Sequence, residues 1–243
     1  MAGSVVNQWH RHITAIRYND TDMCGRYTLT TDIRELEDRF HFIAEGLDLI
    51  PSYNTAPRQP VLTIVREDDN VGRIMKWGLI PSWAANPSVA NKMINARSET
   101  VAEKPSFRAA LAKRRCLIPA DGFYEWQKTA DGKRPMRITL ASGEPFAFAG
   151  LWEIWNTPKG DTVHTCTILT TSANESLAPI HNRMPVILSR EAEDIWLDHT
   201  VQDKSLLKSL FVPYDPSETV AYEVSTLVNS AANNVPEAIS PVA

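Results

Sequence analysis

The sequence predicts an α+β fold: one domain with a mostly antiparallel, barrel-like β core and short helices at its periphery. Three observations carry that expectation. Apolar runs rich in Val, Ile, Phe and Trp recur along the chain, each bounded by turn-forming residues. The helical patterns are short and do not alternate with the strands as a doubly wound parallel sheet requires. Sixteen prolines against ten glycines in 243 residues imply many fixed corners, in a chain long enough for one well-buried core.

The first helix starts at Asp32, an N-cap with Glu35 three positions on, and carries Ile33, Leu36 and Phe40 on one face. "PVLTIVRE" and "GRIMKWGLI" read as two strands around the polar turn "DDNVG". A second helix is expected from Pro105 through "SFRAALAKRR", with proline in its first turn and basic residues at its C-terminal end, where they suit the helix dipole. "CLIPADGFYEWQK" and "RPMRITL" flank Asp131-Gly132, a hairpin signal. "PFAFAGLWEIW" and "HTCTILTTSA" are long apolar strands, and "SREAEDIWLD" and "DKSLLKSLF" are short amphipathic helices.

Composition excludes several function classes. With 43% hydrophobic and 22% charged residues, no tract is biased enough for disorder. Three cysteines without C-x-x-C spacing argue against a disulfide framework or a structural zinc site, so a reducing cytoplasm is expected, with no metal or other cofactor. The first 22 residues lack the apolar core of a signal peptide, and no segment reaches the ~18 apolar residues of a membrane span. Without a heptad pattern or pairing helix, the chain reads as a soluble monomer. Its net charge of −4 hides an asymmetry. Residues 92 to 137 hold eleven Lys or Arg against five acids, and residues 186 to 243 hold three against nine. The first region is either a local phosphate-binding surface or a solvated helix face.

Four stretches place reactive residues among apolar or turn residues: "MCGRYTLT", "MINARSET", "IPADGFYEW" and "APIHNRMPVIL". Each has a plain explanation beside the chemical one. Cys24 is either a nucleophile or a small buried hydrophobe, and Asn95 either a catalytic group or a turn-former. Glu125 shares a strand face with Phe123, so it is either solvated or a buried acid with a raised pKa. His181, between Pro179 and Pro185, is either functional or an exposed loop residue. Cys116 and Cys166, in apolar strands, read as structural.

These stretches occur in one order with "YNTAP", "WGLIPSWA", "RCLIPADGFYEW" and "IHNRMPVIL". From Met23 onward the chain resembles the SOS-response-associated peptidase (SRAP) family, the abasic-site-processing proteins. The resemblance implies a partner, single-stranded DNA containing abasic sites, and a covalent crosslink made by a cysteine at the mature N-terminus. It also implies self-processing peptidase and lyase activities, and a cytoplasmic protein that joins the nucleoid when on DNA.

By the same resemblance, Cys24 supplies amine and thiol, Glu125 shuttles protons, His181 protonates the sugar ring oxygen, and Asn95 holds the sugar or the amine. Arg26, Arg97 and Arg183 are expected on flanking phosphates. Tyr53, Asn54 and Trp83 are expected to form a wedge or stacking surface for unpaired DNA, with burial in the core as the competing reading of the aromatics. Three phosphate contacts on a single strand predict a log K against log salt slope of roughly −2.

Residues 1 to 22 depart from the pattern, because an internal Cys24 has an amide where the mechanism needs an amine. They are read as a leader absent from the mature protein, with 23–243 as the domain. The favoured explanation is translation from Met23, followed by methionine removal. Self-cleavage before Cys24 and an uncut, blocking leader are the alternatives. The rival activity is a thiol peptidase with Cys24 as nucleophile, His181 as base and Asn95 as orienter.

Overall fold

Asp121 marks the corner at which the chain leaves one β-sheet for another. The computed structural model describes residues 25–242, so Cys24 and the leader lie outside the described residues. The chain runs through β1 (Tyr27–Leu29), α1 (Ile33–Phe40), β2 (Ser52–Thr55), β3 (Pro60–Arg66), β4 (Asn70–Trp77) and β5 (Asn95–Arg97). It continues with α2 (Arg108–Lys113), β6 (Arg115–Ala120), β7 (Gly122–Thr129), β8 (Gly132–Leu140), β9 (Phe146–Asn156) and β10 (Thr162–Ser172). The last elements are β11 (Arg183–Pro185), β12 (Ile187–Leu188), α3 (Arg190–Leu197), α4 (Lys204–Ser209) and β13 (Thr219–Glu223).

Strand pairing closes part of the molecule into a barrel. β4 pairs with β3, β3 with β6, β6 with β9, β9 with β10, and β10 returns to β4. This ring of five strands bears out the expected α+β class and barrel-like core. Its one parallel seam is β4–β10, and β5 also joins β10 in parallel. A second, smaller sheet has the order β13-β8-β7-β1-β2. Aromatic contacts join it to the barrel: the Tyr27 ring lies 5.4 Å from Trp77 and 5.8 Å from Phe148, and Phe123 lies 6.1 Å from Phe148. These tilted and edge-on pairs belong to one continuous buried core.

The apolar stretch 116–128, which reads as one strand, is two. β6 belongs to the barrel and β7 to the smaller sheet, and Asp121 between them explains the break. Its Oδ2 accepts from Thr30 N at 2.5 Å, Thr30 Oγ1 at 2.8 Å, Thr31 N at 3.1 Å and Thr31 Oγ1 at 3.2 Å. Its Oδ1 accepts from Thr28 Oγ1 at 2.5 Å and from Arg137 Nη2 at 3.2 Å. A side chain so engaged sets the corner and fastens β1 to it. Gly122 follows because the Arg137 guanidinium needs the space: a Cβ there would lie 2.7 Å from Arg137 Nε.

The helix expected from Pro105 begins at Arg108 instead, since the preceding residues close a turn with Phe107 N donating to Lys104 O at 3.0 Å. The basic residue expected near its C-terminal end serves two helices. Arg115, buried, donates to Leu111 O at 2.7 Å behind α2, and to Trp196 O at 2.6 Å and Asp198 O at 2.5 Å behind α3. One cation thereby satisfies the carbonyl ends of both helices. Among the described residues no helix is long and apolar enough to cross a membrane.

Candidate functional site

The register between β1 and β7 positions the chain's first described residue. Tyr27 pairs with Phe123 and Thr28 with Gly122, antiparallel, and Tyr124 N donates to Arg26 O at 3.0 Å. Continued by one step, this register sets Gly25 across from Glu125. Phe123 and Glu125 share one face of β7 by strand alternation. Since Phe123 packs on Phe148 of the barrel, Glu125 also faces the barrel, and it is 5% exposed. Tyr124 and Trp126 take the opposite face, against Val224, Val228 and Asn229.

The C-terminal end of β10 gathers the other candidates. β5 pairs along it with Asn95 opposite Ile168 and Arg97 opposite Thr170, while β11 pairs with Pro185 opposite Thr170 and Arg183 opposite Ser172. β5 therefore brings Asn95 and Arg97 to this end, and β11 brings Arg183 with His181 just before it. Asn95 is half-buried and Arg97 exposed. His181 closes a tight turn, its N–H donating to Leu177 O at 3.0 Å. Its Nδ1 accepts from Arg183 N at 3.2 Å. The same Nδ1 lies 3.4 Å from Arg183 O; the shorter contact with the N–H favours the tautomer with its proton on Nε2. Gln127, two residues past Glu125, donates to Pro179 O at 3.3 Å and ties β7 to the turn carrying His181.

The expected DNA-facing residues divide into two groups. Arg97 is exposed and has no ion pair among the described residues. Trp83 is 66% exposed, on a loop anchored by Trp155 Nε1 donating to Ala84 O at 2.7 Å. An indole held out in water on an anchored loop is available for stacking. Tyr53 is half-buried, its N–H bonded to Asn234 Oδ1 at 2.7 Å and its carbonyl to the Tyr124 hydroxyl at 2.7 Å.

Arg26 and Asn54 are buried together. Arg26 Nη1 donates to Asn54 Oδ1 at 2.9 Å and Val228 O at 2.7 Å, while Asn54 Nδ2 donates to Ser230 O at 2.9 Å and Asn233 O at 3.0 Å. Their polar atoms strap residues 228–233 over the start of β1. Arg183 is also held within the protein, by Thr170 O at 2.7 Å and by both carboxylate oxygens of Glu99.

Comparison with known proteins decides the family. The sequence model for SOS response associated peptidase (SRAP) matches residues 23–231. The chain belongs to the SRAP family. It is 51% identical over 223 residues to abasic site processing protein YoqW of Bacillus subtilis (strain 168), covering 89% of this chain and 99% of that protein. It is 36% identical over 227 residues to abasic site processing protein HMCES of Gallus gallus, covering 79% of this chain and 66% of that one. Among solved structures, it is similar to an X-ray crystal structure of a protein from Bacteroides thetaiotaomicron. That similarity has a TM-score of 0.82 and 26% identity over 90% of this chain and all of that one.

Two residues of this SRAP chain have positions at the site that sequence reasoning gave no role. Glu99 lies within the "INARSET" stretch, and its partner Arg183 is 84 residues away. That arginine's hydrogen bond is the first cause holding the Glu99 carboxyl below its ordinary range. Thr170 accepts from both Ser98 N and Arg183 Nη2 on its carbonyl, joining the two loops across β10. Only the pairing of β5 and β11 on either side of β10 brings these residues together. Cys116 and Cys166 are free, fully buried thiols whose pKa values burial pushes up.

Proposed function

We propose that this protein captures abasic sites in single-stranded DNA as a covalent adduct of Cys24, once Cys24 is the N-terminal residue. The observation that carries the reading is the register of β1. Continued past Tyr27, it sets Gly25, the residue that follows Cys24 in the sequence, opposite the buried Glu125. The match of the family model from Met23 supports Cys24 as the second residue of the functional chain. The names of the similar abasic site processing proteins support the choice of lesion.

The open-chain abasic sugar presents an aldehyde. The Cys24 amine adds to its carbon, and the carbinolamine loses water to give an imine. The thiol then adds to the imine carbon while its proton passes to nitrogen, closing a thiazolidine. The balance is amine, thiol and aldehyde in, with ring and one water out. An α-amine with a pKa near ~8 keeps a usable neutral fraction at pH 7, where lysine keeps little. Adjacent carbons make the second closure intramolecular.

Glu125 accepts and returns protons at the amine and carbinolamine. His181 donates a proton to the sugar ring oxygen as the ring opens. Asn95 hydrogen-bonds the sugar or the amine. Arg97 grips a flanking phosphate and Trp83 stacks on an unpaired base. With Arg26 and Arg183 held internally, Arg97 alone contributes a salt slope of roughly −0.7. Where residues 1 to 23 are translated, the same thiol can attack the preceding carbonyl, displacing the peptide nitrogen as the free Cys24 amine and leaving a thioester that water hydrolyses, which removes the segment.

A denaturing gel tests the reading. Protein mixed with an oligonucleotide bearing one abasic site gives a heat-stable shifted band that Cys24→Ala abolishes. Cys24→Ser gives a band only with borohydride, which traps the imine. No band from the wild type, with cleavage of peptide substrates instead, returns the site to thiol proteolysis. Binding seen only under native conditions reduces it to shielding.

A further inference from the structure

We propose that Glu99 is a positioning residue for His181, acting through Arg183. The inference rests on His181 having the role given above, but its geometry is independent of any DNA. A single residue, Asn182, separates His181 from β11, and the ring is oriented by the Arg183 backbone, whose N–H lies 3.2 Å and whose carbonyl oxygen lies 3.4 Å from Nδ1. The direction of that N–H follows the placement of Arg183. Its guanidinium is fixed at one end of the fold by Thr170, with Nη2 donating to the carbonyl at 2.7 Å and to Oγ1 at 3.2 Å. Glu99 completes the grip with a fork-to-fork pair, one arm at 3.0 Å.

Bidentate pairs of this kind fix the angle of the guanidinium plane as well as its location. Glu99 sits just after β5, the strand that carries Asn95 and Arg97. The pair therefore spans β10 and sets His181 relative to Asn95. It also keeps Arg183, whose side chain is 14% exposed, turned toward protein rather than toward a phosphate.

The carboxylate side of the pair is 52% exposed, and exposed ion pairs add little to global stability. Losing Glu99 should therefore disturb the ring more than the fold. The test compares wild type, Glu99→Gln, Arg183→Lys and the double variant. Glutamine keeps the length and one acceptor but removes the charge and the second acceptor.

Nitrogen-15 spectra of the imidazole at about pH 8 report the tautomer directly. The wild type should show chiefly Nε2–H, and Glu99→Gln a larger share of the Nδ1–H tautomer. Adduct formation at saturating DNA should slow about tenfold, while affinity for lesion-free single strands changes less than about twofold. The double variant should be no slower than Arg183→Lys, because the two residues act in series. Melting temperature should fall by no more than about 3 °C.

An unchanged ring spectrum in Glu99→Gln overturns the proposal, as does additivity in the double variant. A wild type that forms no adduct refutes the reading of the reaction instead, and the ring spectrum still decides the role of Glu99.

Discussion

Arg26→Lys separates a structural arginine from a phosphate ligand. The wild-type side chain is 8% exposed, donates to Asn54 Oδ1 and Val228 O at 2.9 and 2.7 Å, and places its guanidinium carbon 5.9 Å from the Trp126 ring centre. A lysine ammonium keeps one of the two bonds at best. Losing a charge-assisted hydrogen bond costs about 1.5–3 kcal/mol, and a weakened cation–π contact adds about 0.5–1 kcal/mol. The expected destabilisation is therefore about 2–4 kcal/mol. At about 2–4 °C per kcal/mol for a chain of this size, the melting temperature should fall by roughly 10 °C. The companion measurement is the salt dependence of binding to a lesion-free single strand, whose slope should stay the same. The opposite result, an unchanged melting temperature with a slope shallower by roughly 0.7, would make Arg26 a phosphate contact and refute the structural account.

Asp121→Ala removes the acceptor of six hydrogen-bond contacts at the corner between the sheets, and denaturant unfolding should report a loss of about 3–5 kcal/mol. The Glu99 carboxyl is held below its usual pKa of 4.5, chiefly by Arg183, so its stabilising contribution is present above that value and disappears as pH falls through the lower folded value. The difference in melting temperature between wild type and Glu99→Gln should hold constant from about pH 8 to pH 5 and shrink only below about 4.5. Iodoacetamide should label neither Cys116 nor Cys166 in the native protein, because burial raises both thiols' pKa values; mass spectrometry should find both labelled only after denaturation. Duplicating Gly25 lengthens the chain between β1 and the Cys24 amine by one residue, about 3.8 Å of reach, and on the proposed reading the rate of adduct formation should drop by at least about a hundredfold with little change in stability.

The long elements were legible because periodicity and turn chemistry are local. The α1 cap at Asp32, with its side chain accepting from Arg34 N, and the β7–β8 hairpin closing at Gly132 follow from a few adjacent residues. Short strands carry no period. β5 and β11 are three residues each, and they are strands only because β10 offers partners on both sides. The split at Asp121 was hidden because the residues on both sides are apolar and buried, so hydropathy does not change as the chain changes sheets. At the site, residue identity came from the family resemblance, whereas function within the fold depended on contacts at long separation. Nothing local marks Arg26 as internal, since its partners Asn54 and Val228 lie 28 and 202 residues away. Trp83 and Arg97 could be told from core or paired residues only by their exposure.

The site is divided between two units of unequal rigidity. Asn95, His181 and Arg97 hang from β10, a strand of a closed barrel in which a register slip would break pairing on both sides. Glu125 and β1 belong to an open sheet, and β1 pairs there over only three residues. So short a strand has little hydrogen bonding of its own to resist sliding. Its placement falls to side chains at its two ends: Asp121 grips Thr28, Thr30 and Thr31 at one, and Arg26 is strapped under residues 228–229 at the other. The placement of β1, the strand that follows Cys24 in the sequence, is therefore set by side chains outside the proposed catalytic set. On the proposed function, weakening either anchor should slow adduct formation before it lowers affinity for single-stranded DNA.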